Sequence, residues 1–297
     1  MSIIIPCYNS ERTIRNCLKA IVAQQTQYSF DVTVVDSSTD QTSKIVRSEF
    51  PEVQLISLAR RTFAGPARNL GIQATHGEYC LMIDSDCVAT ASLVERAIER
   101  HRTGNHAAVG GSLRNGTPRS LIGWIGYLME FKEFMPSSAS REVASVPSAN
   151  VCYRREVLER YGCFDEAMQL AEDISLHWKM HNAGESIFFD PAIEVVHLNR
   201  TGWGQVLTYQ VSLGKFSARA RRKGAMPGGL LLRYPYLIVL MPVARTARAL
   251  LWLAANDLQG CALFLVAWPL YFLAASFWSV GFFQEAVTGE QYEVASS

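Results

Sequence analysis

The chain has 297 residues, of which 49% are apolar, and a formal net charge of +1 at pH 7. This length allows one large domain or two small ones, each with a buried core. The nearly neutral charge argues against a nucleic-acid-binding protein, because such proteins carry a clear excess of basic residues. Seven dispersed cysteines, without a CxxC pair or a zinc-type His/Cys cluster, indicate reduced thiols rather than a disulfide framework.

Strand and helix patterns alternate through the first 115 residues. The predicted strands cover residues 2–5, 31–35, 53–58 and 79–83, and the predicted helices cover 10–25, 38–50, 66–75 and 91–101. The strands are continuously apolar, which is typical of a parallel sheet covered by helices on both faces. Ligands of such sheets bind beyond the carboxyl ends of the strands. We therefore predict an α/β fold with a mostly parallel central sheet and a site at that edge.

The middle of the chain is less regular. Residues 119–146 are strongly apolar, and they either pack on the core or face a membrane or an acceptor. Residues 147–198 return to mixed patterns, with a helix at 174–182 and a strand at 192–196.

Two apolar runs near the C-terminus predict helical membrane segments. Residues 258–284 carry no charge, and 261–283 alone exceed the roughly 20 apolar residues that a membrane span needs. The alternative for this run is a buried core helix. The shorter run at 234–244 is either a re-entrant segment or part of a second span that continues to Trp252. The basic run at 215–223 would then lie on the cytoplasmic side, which favours Lys and Arg.

The strongest chemical signal is the pair of carboxylates that directly follows the fourth predicted strand, in Ile83-Asp84-Ser85-Asp86. Two carboxylates separated by one residue in a turn can both approach one hard cation. Mg²⁺ and Mn²⁺ take oxygen ligands and are commonly shared with phosphate groups. Asp84 and Asp86 therefore predict a metal site for a phosphate-bearing substrate.

Other polar residues stand at predicted strand or helix ends. Asp36 ends the second strand, where it can accept hydrogen bonds from a ribose or a base, whereas Ser37, Ser38 or Asp40 could simply cap the next helix. Tyr8 follows the first strand, where its ring could lie against a base or sugar. Arg68 opens a helix whose N-terminus favours an anion, although it could equally be a surface arginine.

Glu172 and Asp173 lie at the start of the helical stretch 174–182. They either interact with the helix dipole or supply a general base. His177 and His181 stand four residues apart on this helix but lack a third ligand, so we interpret them as polar helix positions. His197 ends the strand at 192–196 and is a candidate contact for metal or phosphate.

These segments resemble the family 2 glycosyltransferases with the GT-A fold. The resemblance is carried, in order over residues 2–200, by IIIPCYN, VVDSSTD, AGPARNLGI, IDSD, GCFDE, AEDISL and VVH. It implies donor contacts at Pro6, Tyr8, Asn9, Asp36, Arg68, Asp84 and Ser85, metal contacts at Asp84, Asp86 and His197, and Asp173 as the catalytic base with Glu172 beside it. Ser37 replaces the second acidic residue usual in the family, and no QxxRW pattern follows, which favours transfer of a single sugar.

We therefore expect a catalytic domain at 1–204, with a nucleotide-sugar half at 1–118 and an acceptor and base half at 119–204. Residues 205–297 would form a membrane-associated region with one or two spans. The expected activity is inverting transfer, assisted by Mn²⁺ or Mg²⁺, to a lipid-linked or cell-surface glycan. We expect the catalytic domain to lie on the cytoplasmic face of the cell membrane. A nucleotidyltransferase and a non-catalytic membrane scaffold are the alternatives.

Overall fold

The computed structural model describes residues 1–224 and 226–294. The strands are β1 Ser2–Cys7, β2 Asp31–Asp36, β3 Gln54–Ser57, β4 Tyr79–Ile83, β5 Cys87–Ala89, β6 Ala108–Asn115, β7 Arg141–Glu142, β8 Asn150–Arg154 and β9 Ile187–His197. The helices are α1 Ile14–Val22, α2 Thr42–Glu49, α3 Ala64–Gln73, α4 Leu93–Thr103, α5 Leu121–Phe131, α6 Arg155–Tyr161, α7 Glu172–Asn182, α8 Trp203–Lys223, α9 Leu230–Arg233, α10 Met241–Asn256 and α11 Leu258–Val294, with short 3-10 helices at Lys132–Phe134 and Pro235–Leu240.

The chain divides into two compact units. The first contains Met1–Gly116 and Ala139–Leu198, and the second contains Thr117–Ser138 and the chain from Asn199 onward. The apolar segment that includes α5 thus groups with the C-terminal helices, whereas the sequence analysis assigned it to an acceptor half of the catalytic domain.

The first unit is built on one mixed sheet with strand order β3-β2-β1-β4-β8-β6-β9-β5, and β7 pairs with β9. The α/β class is confirmed. Parallel pairing joins β1 to β2 and β4, β2 to β3, and β6 to β9, whereas β8 and β5 pair antiparallel with their neighbours. The predicted parallel order therefore holds for the first four strands, and the second half of the sheet is more antiparallel than their pattern suggested.

Strand β1 lies at the centre of the parallel half, and its Ile3, Ile4 and Ile5 side chains are fully buried. Burial on both faces is what a continuously apolar strand predicts. The register pairs Cys7 with Asp36 at the carboxyl ends of β1 and β2, so the loops that follow them leave the same edge of the sheet.

A break in the pairing of β6 with β9 shapes the other half of the sheet. The register shifts between Gly111 and Ser112, as in a β-bulge. The buried Asn150 side-chain amide donates to the backbone carbonyl oxygens of Ser112 at 3.2 Å and of Ile193 at 2.9 Å. A side chain on Gly111 would overlap the Ile193 carbonyl, so only glycine fits. Beyond this point β9 continues to His197, which pairs with Cys87 of β5.

The second unit is helical. Helices α8 and α11 approach closely at Gly214 and Gly281, where an added Cβ would meet the carbonyl oxygens of Trp278 and Val211 at 2.0 and 1.9 Å. Helix α5 packs on α11, and its Trp124 ring centre lies 6.4 Å from that of Phe264. Of the alternatives for residues 119–146, packing against protein is therefore the one observed for α5.

Two segments of this unit have the length and composition of a membrane span. They are Pro235–Asn256, with mean hydropathy 1.6, and Leu258–Gly289, with mean hydropathy 1.8. The second contains the predicted span at 261–283 and stays helical through Pro269. Large apolar side chains face outward on both segments, among them Val239, Leu251 and Val266, which are 72%, 71% and 80% exposed.

We expect Gly71→Ala to destabilise the first unit by about 1–3 kcal/mol, because a Cβ there would lie 2.5 Å from Ile4 Cγ2 in a well-packed core. Urea unfolding of the full chain measures this change. In an Ile4→Ala background the clash is removed, so the cost of Gly71→Ala should shrink. An equal cost in both backgrounds would show that close packing of α3 on β1 is not the cause.

Candidate active site

A buried arginine connects two of the predicted site segments. Arg68, on α3, is only 2% exposed. One of its terminal nitrogens donates to Asp84 at 2.7 Å and the other donates to Glu172 at 2.6 Å. The interpretation of Arg68 as a surface residue is therefore wrong. Its guanidinium instead ties the end of β4 to the start of α7.

Burial and neighbouring charges set the pKa values of Arg68 and Glu172. Burial and the charge of Asp173 raise the pKa of Glu172 to about 7, despite the neighbouring Arg68. Burial opposes the charge on Arg68, but Asp84 and Glu172 outweigh it and raise the pKa of Arg68. Arg68 thus remains a cation, and Glu172 is poised to hold or release a proton near neutral pH.

Asp86 has a different environment from Asp84. Its Oδ1 lies 3.5 Å from His197 Nε2, and its ligand atoms form a group with those of Cys87 and His197 in which all lie within 4.8 Å. The backbone supports this arrangement, because the Leu198 N–H donates to the backbone carbonyl oxygen of Asp86 at 2.9 Å. The structure therefore places Asp86 beside His197 and turns Asp84 toward Arg68.

Cys87 is the third member of that group. Burial, followed by the charge of Asp86, raises the pKa of its thiol well above the usual range. A neutral thiol is a poor ligand for Mg²⁺ or Mn²⁺, which prefer oxygen and, for Mn²⁺, also imidazole donors. Asp86 and His197 are therefore the members of this group that suit a hard divalent cation.

Asp36 is buried at the end of β2. Its Oδ1 accepts from the backbone N–H of Ser38 at 3.0 Å and from the Ser38 hydroxyl, and its Oδ2 accepts from the Ser43 hydroxyl. The start of α2 is held by Asp40, which accepts from the Thr42 N–H at 3.0 Å. Asp36 therefore organises the loop after β2, while Asp40 takes the capping role.

The loop after β1 presents one aromatic ring to solvent. Tyr8 is 40% exposed, and the Arg61 guanidinium lies 4.4 Å from its ring centre. Sequence reasoning missed Arg61, because a loop arginine carries no spacing signal apart from its neighbour Arg60. The ring and the cation together form a platform that suits a planar base joined to phosphate.

Pro6, Asn9 and Ser85 were also predicted as donor contacts. Pro6 is the half-buried penultimate residue of β1. Asn9 has a left-handed backbone, with φ 53, and its Oδ1 accepts from the Thr39 N–H at 3.0 Å. The Ser85 and Ser10 hydroxyl oxygens lie 2.7 Å apart. Asn9 and Ser85 thus connect the loops that carry the other site residues.

Helix α7 positions the predicted base. The residue before it, Ala171, has φ 60, which is unusual for a residue with a side chain. Asp173 Oδ2 accepts from the Ser148 N–H at 3.0 Å. Because Glu172 is engaged by Arg68, Asp173 is the more accessible carboxylate of the pair.

His177 lies one turn further along α7 and is fully buried. Its Nε2 lies 2.7 Å from the Tyr153 hydroxyl and its Nδ1 lies 3.1 Å from the Ser145 hydroxyl. Burial lowers the pKa of His177 to about 4, so the imidazole is neutral. The interpretation as a polar helix position holds for the exposed His181 but is wrong for His177, which braces α7 from within.

The glycosyl transferase family 2 model matches residues 2–162, which is more than half of the chain. The chain belongs to glycosyl transferase family 2. This glycosyltransferase is 28% identical to AglE of Haloferax volcanii over 226 residues, which cover 72% of each chain. It is also 28% identical to the succinoglycan biosynthesis protein ExoO of Rhizobium meliloti over 68% of this chain and 61% of that one.

Among the relatives, the poly-β-1,6-N-acetyl-D-glucosamine synthase of Staphylococcus epidermidis is 23% identical over 64% of this chain and 48% of the synthase. The chain thus spans less than two thirds of ExoO and about half of this synthase. The predicted family and enzyme class are confirmed. The match favours a glycosyltransferase over the nucleotidyltransferase and the scaffold.

Two solved structures show the fold. Mannosyltransferase PcManGT from Pyrobaculum calidifontis, in complex with GDP-Man and Mn²⁺, aligns with TM-score 0.62 and 23% identity over 98% of this chain and 87% of that one. TarS 1–349 of S. aureus, in complex with UDP, aligns with TM-score 0.54 and 19% identity over 98% and 91%. The glycosyltransferase therefore has the predicted GT-A fold.

The raised pKa of Glu172 predicts a pH-dependent stability. As the pH rises from about 4.5, the unfolded chain releases this proton before the folded chain does, so stability falls until the pH reaches about 7. We expect the unfolding free energy of wild type to fall by roughly 3 kcal/mol relative to that of Glu172→Gln across this pH window. Denaturant midpoints at pH 4.5 and 7.5 test it, with the exposed Glu99→Gln as control. A constant difference between wild type and Glu172→Gln would contradict the raised pKa.

Proposed function

We propose that this glycosyltransferase moves a single sugar, with inversion, from a nucleoside-diphosphate sugar to a lipid-linked or cell-surface glycan acceptor. The observation that carries the proposal is the pairing of Asp86 with His197, just beyond β4, which ends at Ile83 and is followed by Asp84. Carboxylate and imidazole at this edge of the sheet form a metal-ligand pair where a parallel α/β sheet binds its ligands.

Asp86 and His197 fit a divalent cation. Their ligand atoms are close, His197 is nearly buried and Asp86 is one-third exposed, so the carboxylate remains open to a ligand. When bound, Mn²⁺ or Mg²⁺ would balance the negative charge of the departing diphosphate. The Mn²⁺ in the complex of the PcManGT mannosyltransferase supports this assignment. Asp84 would contribute from its position beside Arg68.

The donor nucleotide would lie on the loops after β1 and β2. Tyr8 offers an exposed ring with Arg61 beside it, and Asp36 is held at the end of β2 by hydroxyl donors. Pro6, Asn9 and Ser85 would shape the same loops. The neighbours' complexes with GDP-Man and with UDP support a nucleotide-sugar donor.

Arg68 acts in this proposal as a positioning residue. Its two terminal nitrogens are already engaged by Asp84 and Glu172, so it orients these carboxylates rather than adding a mobile charge. Through Glu172 it also holds the start of α7, and hence the adjoining Asp173.

Asp173 would act as the general base. It would take the proton of the acceptor hydroxyl while that oxygen attacks the anomeric carbon. The bond from the anomeric carbon to the diphosphate oxygen breaks in the same displacement, which inverts the configuration. Hydrogen bonds from the Ser148 N–H to Oδ2 and from the Ile174 N–H to Oδ1 would orient the carboxylate, and a second lone pair on either oxygen would take the acceptor's proton. Without a QxxRW pattern, we assign one sugar per acceptor rather than processive synthesis.

The second unit would attach the enzyme to a membrane. Two segments have the length and hydropathy of spans, and their outward residues are apolar. The Lys and Arg residues at 215–223 favour the cytoplasmic side for this part of the chain, and we propose the same side for the catalytic domain. An enzyme held at a bilayer suits an acceptor that is itself carried by a lipid.

We expect Asp86→Asn to lower sugar transfer by at least about a hundredfold, because an oxygen ligand loses its charge. The variant should also lose Mn²⁺ binding by calorimetry and keep its unfolding temperature. The exposed Glu52→Gln serves as control. Full activity of Asp86→Asn after chelation and resupply of Mn²⁺ would refute the metal role.

We expect Asp173→Asn to lower the transfer rate by about 10²–10⁴-fold while donor affinity stays near that of wild type. The donor is held by other residues, so only turnover should suffer. Transfer kinetics beside donor titration by calorimetry measure both, with the exposed Glu156→Gln as control. If Asp173 only supports the helix start, an amide should replace it well and wild-type turnover would result.

A further inference from the structure

The second unit contains a group of cations that the proposed mechanism does not use. Lys132, Arg221, Arg245 and Arg248 form this basic cluster, and they come from the 3-10 helix at Lys132–Phe134, α8 and α10. Arg248 Nη2 lies 2.8 Å from Glu133 Oε1, and Lys132 Nζ lies 3.8 Å from the same atom. Among the described residues, Glu133 is thus the carboxylate shared by two of these cations.

The cations of the cluster affect one another. Only 12% of the Lys132 side chain is exposed. Burial, and then the charge of Arg245, lowers the pKa of Lys132 to about 8. Burial and Arg245 also lower the pKa of Arg221. An excess of desolvated positive charge is unfavourable unless an anion compensates it.

Two buried hydrogen-bond donors in the second unit also call for an anion. Within the described part of the chain, Arg245 Nε has no hydrogen-bond partner, and the fully buried Tyr271 hydroxyl lies within reach of the same guanidinium, which can only donate, so the hydroxyl proton has no acceptor. Their side chains are neighbours, and the Arg245 guanidinium also lies 4.5 Å from the centre of the Trp278 ring. Buried polar groups are nearly always satisfied, and an anionic oxygen is the acceptor that both donors lack.

The position of these residues indicates how such an anion would arrive. Arg245 and Arg248 lie in the apolar segment Pro235–Asn256, and Tyr271 lies in Leu258–Gly289. Ionisable residues in membrane segments are costly and commonly mark a ligand site. The outward residues of the same segment, such as Val243 and Leu251, are 59% and 71% exposed and apolar. The surroundings therefore suit a ligand with a charged head and an apolar chain.

We propose that the basic cluster binds the phosphate or diphosphate group of a membrane lipid, with Arg245 and Tyr271 donating to its oxygens and Lys132 and Arg248 balancing its charge. We assign this lipid as the carrier of the sugar acceptor. That assignment deepens the proposed function and rests on it. Binding of the lipid phosphate itself requires no sugar transfer, so it can be measured separately.

The test uses the full chain in neutral detergent micelles and three probes: farnesyl diphosphate, inorganic pyrophosphate and farnesol. Binding is followed by tryptophan fluorescence, because Trp278 adjoins Arg245. Farnesyl diphosphate should bind at least about tenfold more tightly than either other probe. Equal binding of pyrophosphate would overturn the lipid assignment, and equal binding of farnesol would overturn the anion site.

Substitutions test whether residues of the basic cluster bind the lipid phosphate. Arg245→Gln and Lys132→Gln should each weaken binding of farnesyl diphosphate by about tenfold or more, since each removes a charge-assisted contact. The exposed Arg233→Gln, a matched change on α9, should bind like wild type. Unchanged binding in both cluster variants would overturn the proposal.

The sign of the charge effect separates a ligand site from a structural ion pair. Glu133→Gln should strengthen binding of farnesyl diphosphate, because it raises the net positive charge of the cluster. A structural role for the Glu133–Arg248 pair predicts weaker binding and a lower unfolding temperature instead, and that result would count against the site. Mn²⁺-dependent donor binding in the same preparation reports on the proposed function independently. Loss of one property without the other therefore shows which proposal has failed.

Discussion

The candidate active site depends on one buried cation. Arg68 is held between Asp84 and Glu172, two carboxylates that are far apart in the first unit's sequence. A buried charge without a partner costs several kcal/mol, so either carboxylate alone would leave the group poorly balanced. Both contacts are short, and the contact with Glu172 is buried, so Arg68 couples the end of β4 to the start of α7. The candidate metal ligands and the proposed base are thereby linked through Arg68.

The sheet supplies the rest of that frame. Parallel strands β1, β2 and β4 end at a common edge, so the loops that follow them bring Tyr8, Asp36 and Asp84 to one side of the molecule. On the far half of the sheet, the bulge at Gly111 and the buried Asn150 amide adjust the path of β9. That path ends at His197 opposite Cys87, which brings the imidazole to Asp86.

The two carboxylates at the start of α7 have different surroundings. Glu172 is desolvated and sits at the arginine, so its proton is held to about pH 7. Asp173 is more accessible and is oriented by a backbone N–H. The two adjacent carboxyl groups therefore have distinct surroundings, which is consistent with the proposal that Glu172 is a structural partner and Asp173 a base. The neutral His177 beneath them adds a rigid support without adding charge.

The sequence by itself determined the fold class, the family and the strand ends that carry polar residues. Continuously apolar strands with helices between them require burial on both faces, and this pattern is local enough to read along the chain. The pairing of Asp86 with His197 was also within reach, because both residues follow apolar strands. The partners of Arg68 were not, since its contact with Glu172 spans 104 positions and depends on how α7 packs.

The tertiary structure alone decided the features that rest on packing between distant segments. The burial of His177, the bulge at Gly111 and the grouping of α5 with the C-terminal helices are of this kind. The same holds for the basic cluster, whose members appear in the sequence as unrelated residues of three segments. A local pattern reports which face of an element is apolar, but only the folded chain fixes which charges share a buried space and therefore how they titrate and what they can bind.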